Sequence, residues 1–381
     1  PVYTLFAHKS KMKKLVLIGG GHTHLETIRR LGEQSSIDVE VSLISSEEYT
    51  SYSGMLPGLI SGHYTFADCH INLQELCNRY KFRFHKESVT QISPYEQLIH
   101  TQKNQYCYDL ASINIGSTPN LYSTIGVKEW ATPIKPIDRL IEKIDHFLND
   151  VSDAPMKQNI EVVVVGGGAA GIEILLALKY RADACGYTNL NFSIITGSQD
   201  ILETHPMPIR RKFHQILHKK NVTTYYASPV VGISKEYVKT ASGKIIKSDL
   251  TVWATGAAAS TWPKLSNLPT TKEGFIKTDQ YLKVKNINNL FAVGDIGSIE
   301  GLQYPKSGVY AVKQAAVLIN NINNLVNGKP LKRYTPQKHA LALISAGSKY
   351  AVASRNILCT SGKWVWRWKD HIDRNFMRKF R

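Results

Sequence analysis

The sequence predicts an α/β fold organised around two strand–turn–helix motifs. The first glycine motif is Lys14-Leu-Val-Leu-Ile-Gly-Gly-Gly-His-Thr-His-Leu-Glu26, whose apolar run is typical of a central parallel strand covered on both faces. The second glycine motif, Glu161-Val-Val-Val-Val-Gly-Gly-Gly-Ala-Ala-Gly-Ile-Glu173, has the same form. Each turn opens a helix, so each offers backbone N–H groups and a positive dipole end to a phosphate. The pair therefore predicts two dinucleotide sites.

The two motifs differ in their glycines. In the first, Gly19 permits the tight turn and Gly21 lets a phosphate approach the backbone. His24 stands where a third glycine normally allows close packing of helix and strand, and we expect it to pack or to contact a pyrophosphate. No metal site is predicted, because His22 and His24 are two apart on a helix and point in different directions. The second motif has all three glycines, Gly166, Gly168 and Gly171.

Composition limits the functional classes. A length of 381 residues accommodates two or three domains with substantial cores. Five scattered cysteines, an odd number, argue against a disulfide framework and favour a reducing compartment. No apolar run is long enough to span a bilayer. The net charge of +17 favours anionic partners. No nucleic-acid motif accompanies it, so the predicted partners are anionic cofactors and acidic lipid.

Hydrophobic periodicity places the remaining elements. Residues 1–11 lack a signal-peptide core and are expected to be an extension outside the fold. The segment 52–64, rich in glycine, is predicted to be an ordered loop that lies against a flat ring system. The predicted strands cover 39–44, 82–85, 88–92, 108–120, 192–195, 249–256 and 289–297, with two short strands within 340–359. The predicted helices cover 135–148 and 310–326, and the polar segment 149–159 is predicted to be a loop.

In many dinucleotide domains an acidic residue follows the second strand and binds a ribose hydroxyl. Neither predicted domain of this chain has an acidic residue directly at that position. After the first such strand the candidates are Ser45 by position and Glu47 by chemistry. After the second, Thr196, Gly197 and Ser198 stand there, and no arginine follows at once to suit a 2′-phosphate. The choice between NADH and NADPH therefore stays open.

These landmarks, in this order, resemble the flavoproteins with two dinucleotide-binding domains. That superfamily includes the pyridine nucleotide-disulfide reductases, the type II NADH:quinone oxidoreductases and the sulfide:quinone reductases. A narrower likeness, to the flavoprotein module sometimes fused to selenophosphate synthetase, rests on GGGHTH, SGMLPGLISGHY, IGSTPN, PKSGVYAVKQ and WVWRWKDHIDRNFMRKF.

The resemblance implies two Rossmann-like domains, one for FAD and one for NAD(P), followed by a C-terminal membrane-binding segment. The implied domains are 12–120 (FAD-binding, first part), 121–256 (NAD(P)-binding), 257–335 (FAD-binding, second part) and 336–381 (a strand pair and an amphipathic, basic tail). It implies a cytoplasmic protein held peripherally at the inner face of the membrane, with a homodimer as a possible assembly.

The resemblance also assigns cofactor-binding residues by position. Those implied to bind FAD are Gly19, Gly21, His22, Thr23 and His24 at the pyrophosphate, Ser45 near the ribose, Val89 near the adenine, Pro57 beside the isoalloxazine, Gly116 at a crossover turn, and Gly294 with Asp295 along the ribityl chain. Those implied to bind NADH or NADPH are Gly166, Gly168 and Gly171.

Two residues are implied to be catalytic. Glu173 matches the glutamate near which nicotinamide meets flavin, and Lys306 would place positive charge near the flavin. A quinone acceptor needs protons, for which Glu173, His24 and Lys306 are candidates in that order. A surface salt bridge for Glu173 and a solvated loop position for Lys306 are the alternatives.

Three functional hypotheses follow. The first is an FAD-dependent oxidoreductase passing electrons from NAD(P)H to a quinone or another small acceptor. The second is oxidation of sulfide or another sulfur or selenium compound, for which Cys107 and Cys359 lie in plausible regions. The third is a flavin-binding partner module without turnover. The two glutamines that quinone-reducing relatives carry against the flavin become Val309 and Lys313 here, so FAD is better supported than quinone.

The C-terminal tail is predicted to bind an anionic membrane surface. Between residues 363 and 381 it has seven Lys or Arg and two Asp. Its apolar residues are four apart, which predicts one helix side formed by Trp364, Trp368, Ile372, Phe376 and Phe380. Aromatic residues combined with a basic face are typical of an interfacial helix. The alternative is a terminal helix that packs on its own domain or on a second subunit.

Overall fold

In a computed structural model, which describes residues 12–34, 39–121, 124–153, 159–356 and 358–381, the chain forms two compact units. The first compact unit comprises Pro1–Thr50, Asn72–Gly116 and Ala259–Pro336. The second comprises Ser51–Ile71, Ser117–Ala258 and Gln337–Arg381. The N-terminal segment 1–11, predicted to be an extension, lies outside the described residues.

The first compact unit is built on a five-stranded parallel sheet. In spatial order its strands are Leu290–Ala292, Leu110–Ile113, Lys13–Ile18, Val39–Ser45 and Arg83–Lys86. In the central strand, four consecutive residues from Leu15 to Ile18 are buried, as its apolar run predicts. Because the strands are parallel, the residues that follow their carboxyl ends gather at one edge of the sheet.

Helices and small sheets complete the first compact unit. The long helix Gly308–Val326 packs against the helix His22–Glu33, which opens at the first glycine motif. The other helical segments are Leu73–Arg79, Trp262–Leu265 and the 3₁₀ turn Gly294–Ile296. The other strands are Val89–Ser93, Leu98–Thr101 and Gln105–Cys107, which form an antiparallel sheet, and the parallel pair Ile276–Thr278 and Gly297–Ile299.

The second compact unit repeats the plan of a five-stranded parallel sheet. In spatial order its strands are Ala131–Pro133, Leu250–Trp253, Ile160–Val165, Leu190–Ile195 and Val222–Tyr225. Its helical segments are Ser53–Met55 (3₁₀), Leu56–Ile60, Phe66–Cys69, Val127–Trp130, Ile137–Asp153, Ala169–Ala184, Met207–Lys219 and Lys363–Arg378. Its smaller strands are Thr118–Pro119, Val230–Ile233, Tyr237–Thr240, Ile245–Lys247, Ala257–Ala258, Ala342–Ser345, Ala351–Arg355 and Leu358–Gly362.

The predicted α/β class with two similar parallel sheets is confirmed, whereas two local predictions of secondary structure are wrong. The segment 52–64, predicted to be an ordered loop, contains the 3₁₀ turn Ser53–Met55 and the helix Leu56–Ile60. The helix Ile137–Asp153 continues through the first part of the segment 149–159, which was predicted to be a loop. Val151 extends the apolar spacing of Leu148 by three residues and is buried in the core of the second compact unit, which explains the extra turn. The short strands Tyr49–Ser51 and His70–Asn72 span the positions where the chain changes unit.

The division into compact units differs from the predicted domain boundaries. The chain changes unit after residues 116, 258 and 336, close to the predicted boundaries. However, the segment Ser51–Ile71 belongs to the second compact unit and not to the first. The assignment of the domains to FAD and NAD(P) stays a prediction.

The C-terminal helix Lys363–Arg378 has two different faces. Trp364, Trp368 and Ile372 are 54%, 40% and 39% exposed, and the two indole rings stack. Phe376 and Phe380, predicted to extend this stripe, are buried, so that part of the prediction is wrong. A four-residue spacing advances a helix by about 40° beyond a full turn, so the stripe rotates by about 120° between Trp364 and Phe376. It therefore turns from solvent into the protein.

His24 fills the position of the missing third glycine by packing. Its imidazole is fully buried, with Nδ1 donating to the Gly19 carbonyl at 2.7 Å and Nε2 accepting from the Ser112 hydroxyl at 2.8 Å. Burial lowers the pKa of His24 to about 4, partly opposed by the Gly19 carbonyl. The neutral ring thus links the first glycine turn to the neighbouring strand Leu110–Ile113.

We predict that His24 makes the protein sensitive to acid. Its folded-state pKa of about 4 lies below the ordinary 6.5, so the unfolded chain binds the extra proton first and stability falls as pH drops between these values. The loss should approach about 3 kcal/mol near pH 4. Thermal unfolding should show His24→Asn less stable than wild type at pH 7.5, with the gap closing by pH 4.

A matched control is His218→Asn, which removes an exposed imidazole from a helix end. The control variant should stay within about 0.5 kcal/mol of wild type, as surface substitutions usually do. A stability gap for His24→Asn that is constant from pH 7.5 to pH 4 would contradict the assignment of a neutral buried ring.

Candidate functional site

The first glycine turn is fixed by one asparagine. The Gly21 N–H donates to the Asn114 carbonyl at 3.2 Å, and the His24 N–H donates to the Asn114 side-chain oxygen at 3.2 Å. The Asn114 amide in turn donates to the Val293 carbonyl at 2.9 Å. A Cβ at Gly21 would lie 2.4 Å from Asn114 Oδ1, so only glycine fits there. Sequence reasoning missed Asn114, although it directly follows a buried strand.

The predicted FAD residues Gly294 and Asp295 lie at the same sheet edge, in the 3₁₀ turn Gly294–Ile296. Gly294 has a φ of +68°, and a Cβ there would lie 2.2 Å from the Asn114 side-chain nitrogen. Its N–H donates to Gln314 Oε1 at 2.6 Å. Gln314, on the helix Gly308–Val326, also donates to the Tyr304 hydroxyl at 3.2 Å and was not predicted from the sequence.

Lys306 is engaged with this turn. Its ammonium donates to the Asp295 carbonyl at 2.7 Å and to the Gly297 carbonyl at 2.9 Å, and lies 4.0 Å from the centre of the Phe275 ring. Burial lowers the pKa of Lys306 to about 8, opposed by the charge of Asp295. The alternative of a solvated loop lysine is therefore wrong, and the catalytic role stays a prediction.

The other predicted FAD residues are spread over both compact units. The Thr23 hydroxyl donates to the Ala311 carbonyl at 2.7 Å, and thus joins two helices of the first unit. Ser45, at a strand end, is buried, whereas Glu47 is exposed. The remaining positions are His22 at the helix start, Val89 at a hairpin start, Gly116 in a left-handed turn with open space around its missing Cβ, and Pro57, buried in the second compact unit.

The glycines of the second motif divide into two roles. A Cβ at Gly166 would lie 2.4 Å from the Ala254 carbonyl oxygen, and one at Gly171 would lie 1.9 Å from the Gly166 carbonyl oxygen. Both positions therefore require glycine for backbone packing. Gly168 caps the helix Ala169–Ala184 with φ −76°, and a Cβ there would meet no atom within 4 Å. That open side is where an anion can approach the helix N-terminus.

Glu173, on the same helix, is held as a proton-binding group. Its carboxylate accepts the Ser345 N–H at 2.7 Å. Burial raises the pKa of Glu173 to about 7, while the charge of Lys369 and the Ser345 hydrogen bond lower it and the charge of Asp373 raises it. Glu173 is partly exposed and accepts a backbone N–H in place of the surface salt bridge that was the alternative, and its catalytic role stays a prediction.

Lys369 and Asp373 form a buried ion pair on the C-terminal helix. The Lys369 ammonium lies 2.6 Å from Asp373 Oδ2 and also donates to the Gly54 carbonyl. Asp373 accepts a hydrogen bond from Tyr52, whose pKa is raised chiefly by burial. Lys369, one of the seven basic residues of the tail, therefore faces the protein interior and is not part of a solvated basic face.

Two further classes of chemistry find little support in the described residues. Within that part of the chain, no cluster of three His, Cys, Asp or Glu is placed to hold a metal ion. All five cysteines are free thiols. Burial raises the pKa of Cys69 and Cys77 to about 12 and raises that of Cys359, which disfavours reactive thiolates.

Known proteins are similar to this chain along most of its length. The family model of the pyridine nucleotide-disulphide oxidoreductases matches residues 13–315. A probable NADH dehydrogenase of Dictyostelium discoideum is 25% identical over 375 residues, covering 92% of this chain and 82% of the relative. A type II NADH:quinone oxidoreductase of Staphylococcus saprophyticus is 24% identical over 343 residues, covering 84% and 85%.

Solved structures share the fold. The sulfide:quinone oxidoreductase of the hyperthermophilic bacterium Aquifex aeolicus superposes with a TM-score of 0.84 at 20% identity, covering 97% of this chain and 91% of that one. NDH2 from Plasmodium falciparum, in complex with NADH, superposes with a TM-score of 0.82 at 19% identity, covering 97% and 98%. The narrower likeness to the module fused to selenophosphate synthetase stays a prediction. The match over 13–315 confirms the predicted superfamily: this chain belongs to the pyridine nucleotide-disulphide oxidoreductase family.

Proposed function

We propose that this protein is an FAD-dependent oxidoreductase that passes electrons from NADH through the flavin to a quinone. The observation on which the proposal chiefly rests is the pair of glycine turns, each opening a helix at the carboxyl edge of its own parallel sheet. Two relatives match most of this chain, and their names support the same activity: a probable NADH dehydrogenase and a type II NADH:quinone oxidoreductase.

FAD fits the first compact unit. The glycine turn and the turn Gly294–Ile296 are joined through Asn114, which places a helix N-terminus and an acidic turn at one sheet edge. There Asp295 would hold the ribityl chain, and Lys306 would position that turn through its two carbonyl contacts. Bound FAD supplies the capacity to accept a hydride and release its electrons singly or in pairs.

The second compact unit would bind the nicotinamide dinucleotide and handle a proton. The helix N-terminus at Gly168 would receive the pyrophosphate, since the space in front of it is open. Reduction of a quinone consumes protons, and Glu173 is about half protonated near neutral pH. Its carboxyl group would release a proton and regain one without a large change in free energy.

The acceptor site differs from the pattern of quinone-reducing relatives. Val309 is 43% exposed and Lys313 is exposed on the helix Gly308–Val326, at the two positions where quinone-reducing relatives carry glutamines. An apolar side chain and a cation would suit a small acceptor with an apolar ring and a polar edge. Quinone is the proposed acceptor because a relative matched along most of this chain is named a type II NADH:quinone oxidoreductase, and another small acceptor is the alternative. The sulfide hypothesis is weaker, because burial raises the pKa of Cys359, one of its two candidate thiols.

We further propose that the exposed face of the C-terminal helix rests on an anionic membrane at its cytoplasmic side. No described helix combines the length and apolar character needed to cross a bilayer. Trp364, Trp368 and Ile372 offer an apolar face, and Lys363 and Arg367 are exposed beside it. Such a face suits the headgroup region of a bilayer, where a quinone is available.

Gly168→Val should block reduction by NADH without disturbing the fold. The substituted side chain has room in the protein and an allowed φ, but it occupies the space where a phosphate would approach. In stopped-flow experiments on the FAD-loaded protein, flavin bleaching by NADH should slow at least about 100-fold, because a displaced reactant typically loses about that much in rate. Gly168→Ala should show a smaller loss, and FAD content should be equal in both. Unchanged bleaching would show that the nucleotide does not bind at this turn.

Glu173→Gln should remove one inflection from the pH dependence of the rate of quinone reduction. Protonated Glu173 is the competent donor, so its contribution falls as pH rises above its pKa of about 7. With saturating NADH, turnover by wild type should decline above pH 7, and the variant should lose about 100-fold in rate together with that inflection. NADH-driven flavin bleaching, followed separately, should change far less. An inflection that persists near pH 7 in the variant would exclude Glu173 as its source.

Replacing the two exposed tryptophans of the C-terminal helix by glutamate should release the protein from anionic vesicles. Trp364→Glu/Trp368→Glu removes apolar contact area and adds negative charge on a solvent-facing helix side, so folding and the flavin spectrum should persist. Flotation with phosphatidylglycerol vesicles measures the loss. Trp130→Glu, at another half-exposed tryptophan of the same unit, is the control and should still float. Wild-type protein that fails to float at low salt would refute the membrane surface.

A further inference from the structure

A small antiparallel sheet of the second compact unit has one buried and one exposed face. This small sheet is formed by the strands Val230–Ile233, Tyr237–Thr240 and Ile245–Lys247. Its inner face packs on the central parallel sheet through three buried residues, which are Ile233, Val238 and Ile246. Because side chains alternate along a strand, the residues between these positions point away from the core.

Four large apolar side chains lie exposed on or beside the outer face of the small sheet. Tyr237 and Ile245 stand on neighbouring strands, and Ile245 is 62% exposed. Val231 is the extra residue of a bulge in the first strand and is also exposed. Ile125, which forms a bridge with Gly232 at the sheet edge, is 82% exposed. Single exposed apolar residues are ordinary, whereas a group on neighbouring strands marks an interaction surface.

Lysines border these apolar side chains. The segment 230–247 contains four lysines and one glutamate. Lys239 is the cross-strand neighbour of Ile245, and Lys247 has the same relation to Tyr237. The Lys247 ammonium lies 3.7 Å from the Asp249 carboxylate, whereas Lys235 and Lys239 have no ion-pair partner within the described part of the chain. The outer face therefore combines apolar contact area with an excess of positive charge.

The small sheet and the C-terminal helix lie on opposite sides of the second compact unit. Alternate valines of the strand Ile160–Val165 enter two separate cores, one beneath the small sheet and one beneath the helix Ala169–Ala184. Alternate residues of the strand Ala351–Arg355 enter the second of these cores and the contact with the C-terminal helix. A membrane that meets the exposed tryptophans of that helix would therefore leave the small sheet facing water.

The outer face begins at the rim of a depression in the same unit. This depression of about 230 Å³ is lined by Thr124, Gly166 and Val230, among others. The exposed residues Ile125 and Val231 directly follow two of these lining residues. A partner docked on the small sheet would therefore border the site that we propose for the nicotinamide dinucleotide.

Charge and side-chain chemistry decide which occupant fits. A second copy of this chain, with its net charge of +17, would bring like charges together. A nucleic acid would need aromatic rings for base stacking, and the sheet face offers Tyr237 among aliphatic side chains. A protein surface with carboxylates around apolar side chains matches both properties, because apolar contact supplies affinity and opposite charges fix the orientation.

We propose that the outer face of the small sheet docks an acidic partner protein. Ile245 and Tyr237 would contact its apolar side chains, and Lys235 and Lys239 would pair with its carboxylates. This interaction goes beyond the proposed function, since it requires neither the flavin nor a particular electron acceptor. Its charged part is exposed to solvent, so binding should weaken as the salt concentration rises.

The test uses a random copolymer of glutamate and tyrosine as an acidic probe that also carries apolar rings. Fluorescence anisotropy of the labelled copolymer should show saturable binding to the full-length protein. Ile245→Asp should bind it at least about tenfold more weakly, because the variant loses apolar contact and adds a charge of the same sign as the probe. Leu265→Asp, at an exposed apolar residue outside the small sheet, is the matched control and should bind as wild type does.

A polyglutamate chain separates specific docking from attraction by charge alone. It lacks apolar side chains and should bind wild type at least about tenfold more weakly than the copolymer does. Equal binding of the copolymer by wild type and Ile245→Asp would overturn the proposal, because only non-specific attraction to a basic protein would remain. An RNA oligonucleotide that binds more tightly than the copolymer, and is released by Ile245→Asp, would also overturn it.

Vesicle flotation distinguishes the docking face from the membrane surface and checks that the variant is folded. Ile245→Asp should still float with phosphatidylglycerol vesicles, and Trp364→Glu/Trp368→Glu should still bind the copolymer. This pattern would support two separate surfaces on opposite sides of the unit. Loss of flotation by a folded Ile245→Asp variant, with an unchanged thermal unfolding transition, would overturn the proposal by assigning the small sheet to the membrane surface.

Discussion

The hydrogen bonds of Asn114 are the constraint on which the first compact unit depends. This residue follows the strand Leu110–Ile113, and its backbone and side chain together hold Gly21, the start of the helix at His24, and the strand end at Val293. Three loops that leave neighbouring strands are thereby locked at one sheet edge. Because Asn114 is buried, losing any of these bonds would leave a polar group unsatisfied away from water, which is costlier than the bond itself is stabilising.

The two glycine motifs solve the same packing problem in different ways. In the second, the helix approaches so closely that a Cβ at Gly171 would lie 1.9 Å from the Gly166 carbonyl oxygen. In the first, the residue at the equivalent position is His24, whose ring satisfies the corresponding Gly19 carbonyl by a hydrogen bond. The first helix thus accepts a large side chain where the second accepts none. The exchange makes a titratable group part of the core, so packing there depends on pH.

Much of the fold could be predicted from the sequence because its signals are local. Continuous apolar runs and the glycine turns that follow them identify the central strands, and both five-stranded sheets are built around those motifs. Asn114, Gln314 and the carbonyl contacts of Lys306 could not be predicted in the same way. Each depends on segments far apart in sequence, and no residue pattern states which carbonyl a side chain will meet.

The prediction of one apolar face along the C-terminal tail failed for a different reason, which is the geometry of a single helix. Positions four apart were treated as one stripe, although the stripe drifts around the helix and enters the core by Phe376. Composition also gave no indication that Lys369 pairs with Asp373 inside the protein, since basic residues in a tail are usually solvated. The segment Ser51–Ile71, which supplies Tyr52 and Gly54 as partners, is remote in sequence.

The two faces of the C-terminal helix decide which experiments on it can be interpreted. Removing the helix would uncover Val365 and Met377, which are almost fully buried, and would take the Lys369 charge away from Glu173. A truncated protein would therefore lose core packing and alter the proton affinity of a proposed catalytic group at the same time as it lost the exposed tryptophans. Point substitutions at Trp364 and Trp368 change side chains that are 54% and 40% exposed, and they leave Val365, Met377 and Lys369 in place. The proposed membrane binding and the proposed proton transfer can thus be tested separately, although the same helix would take part in both.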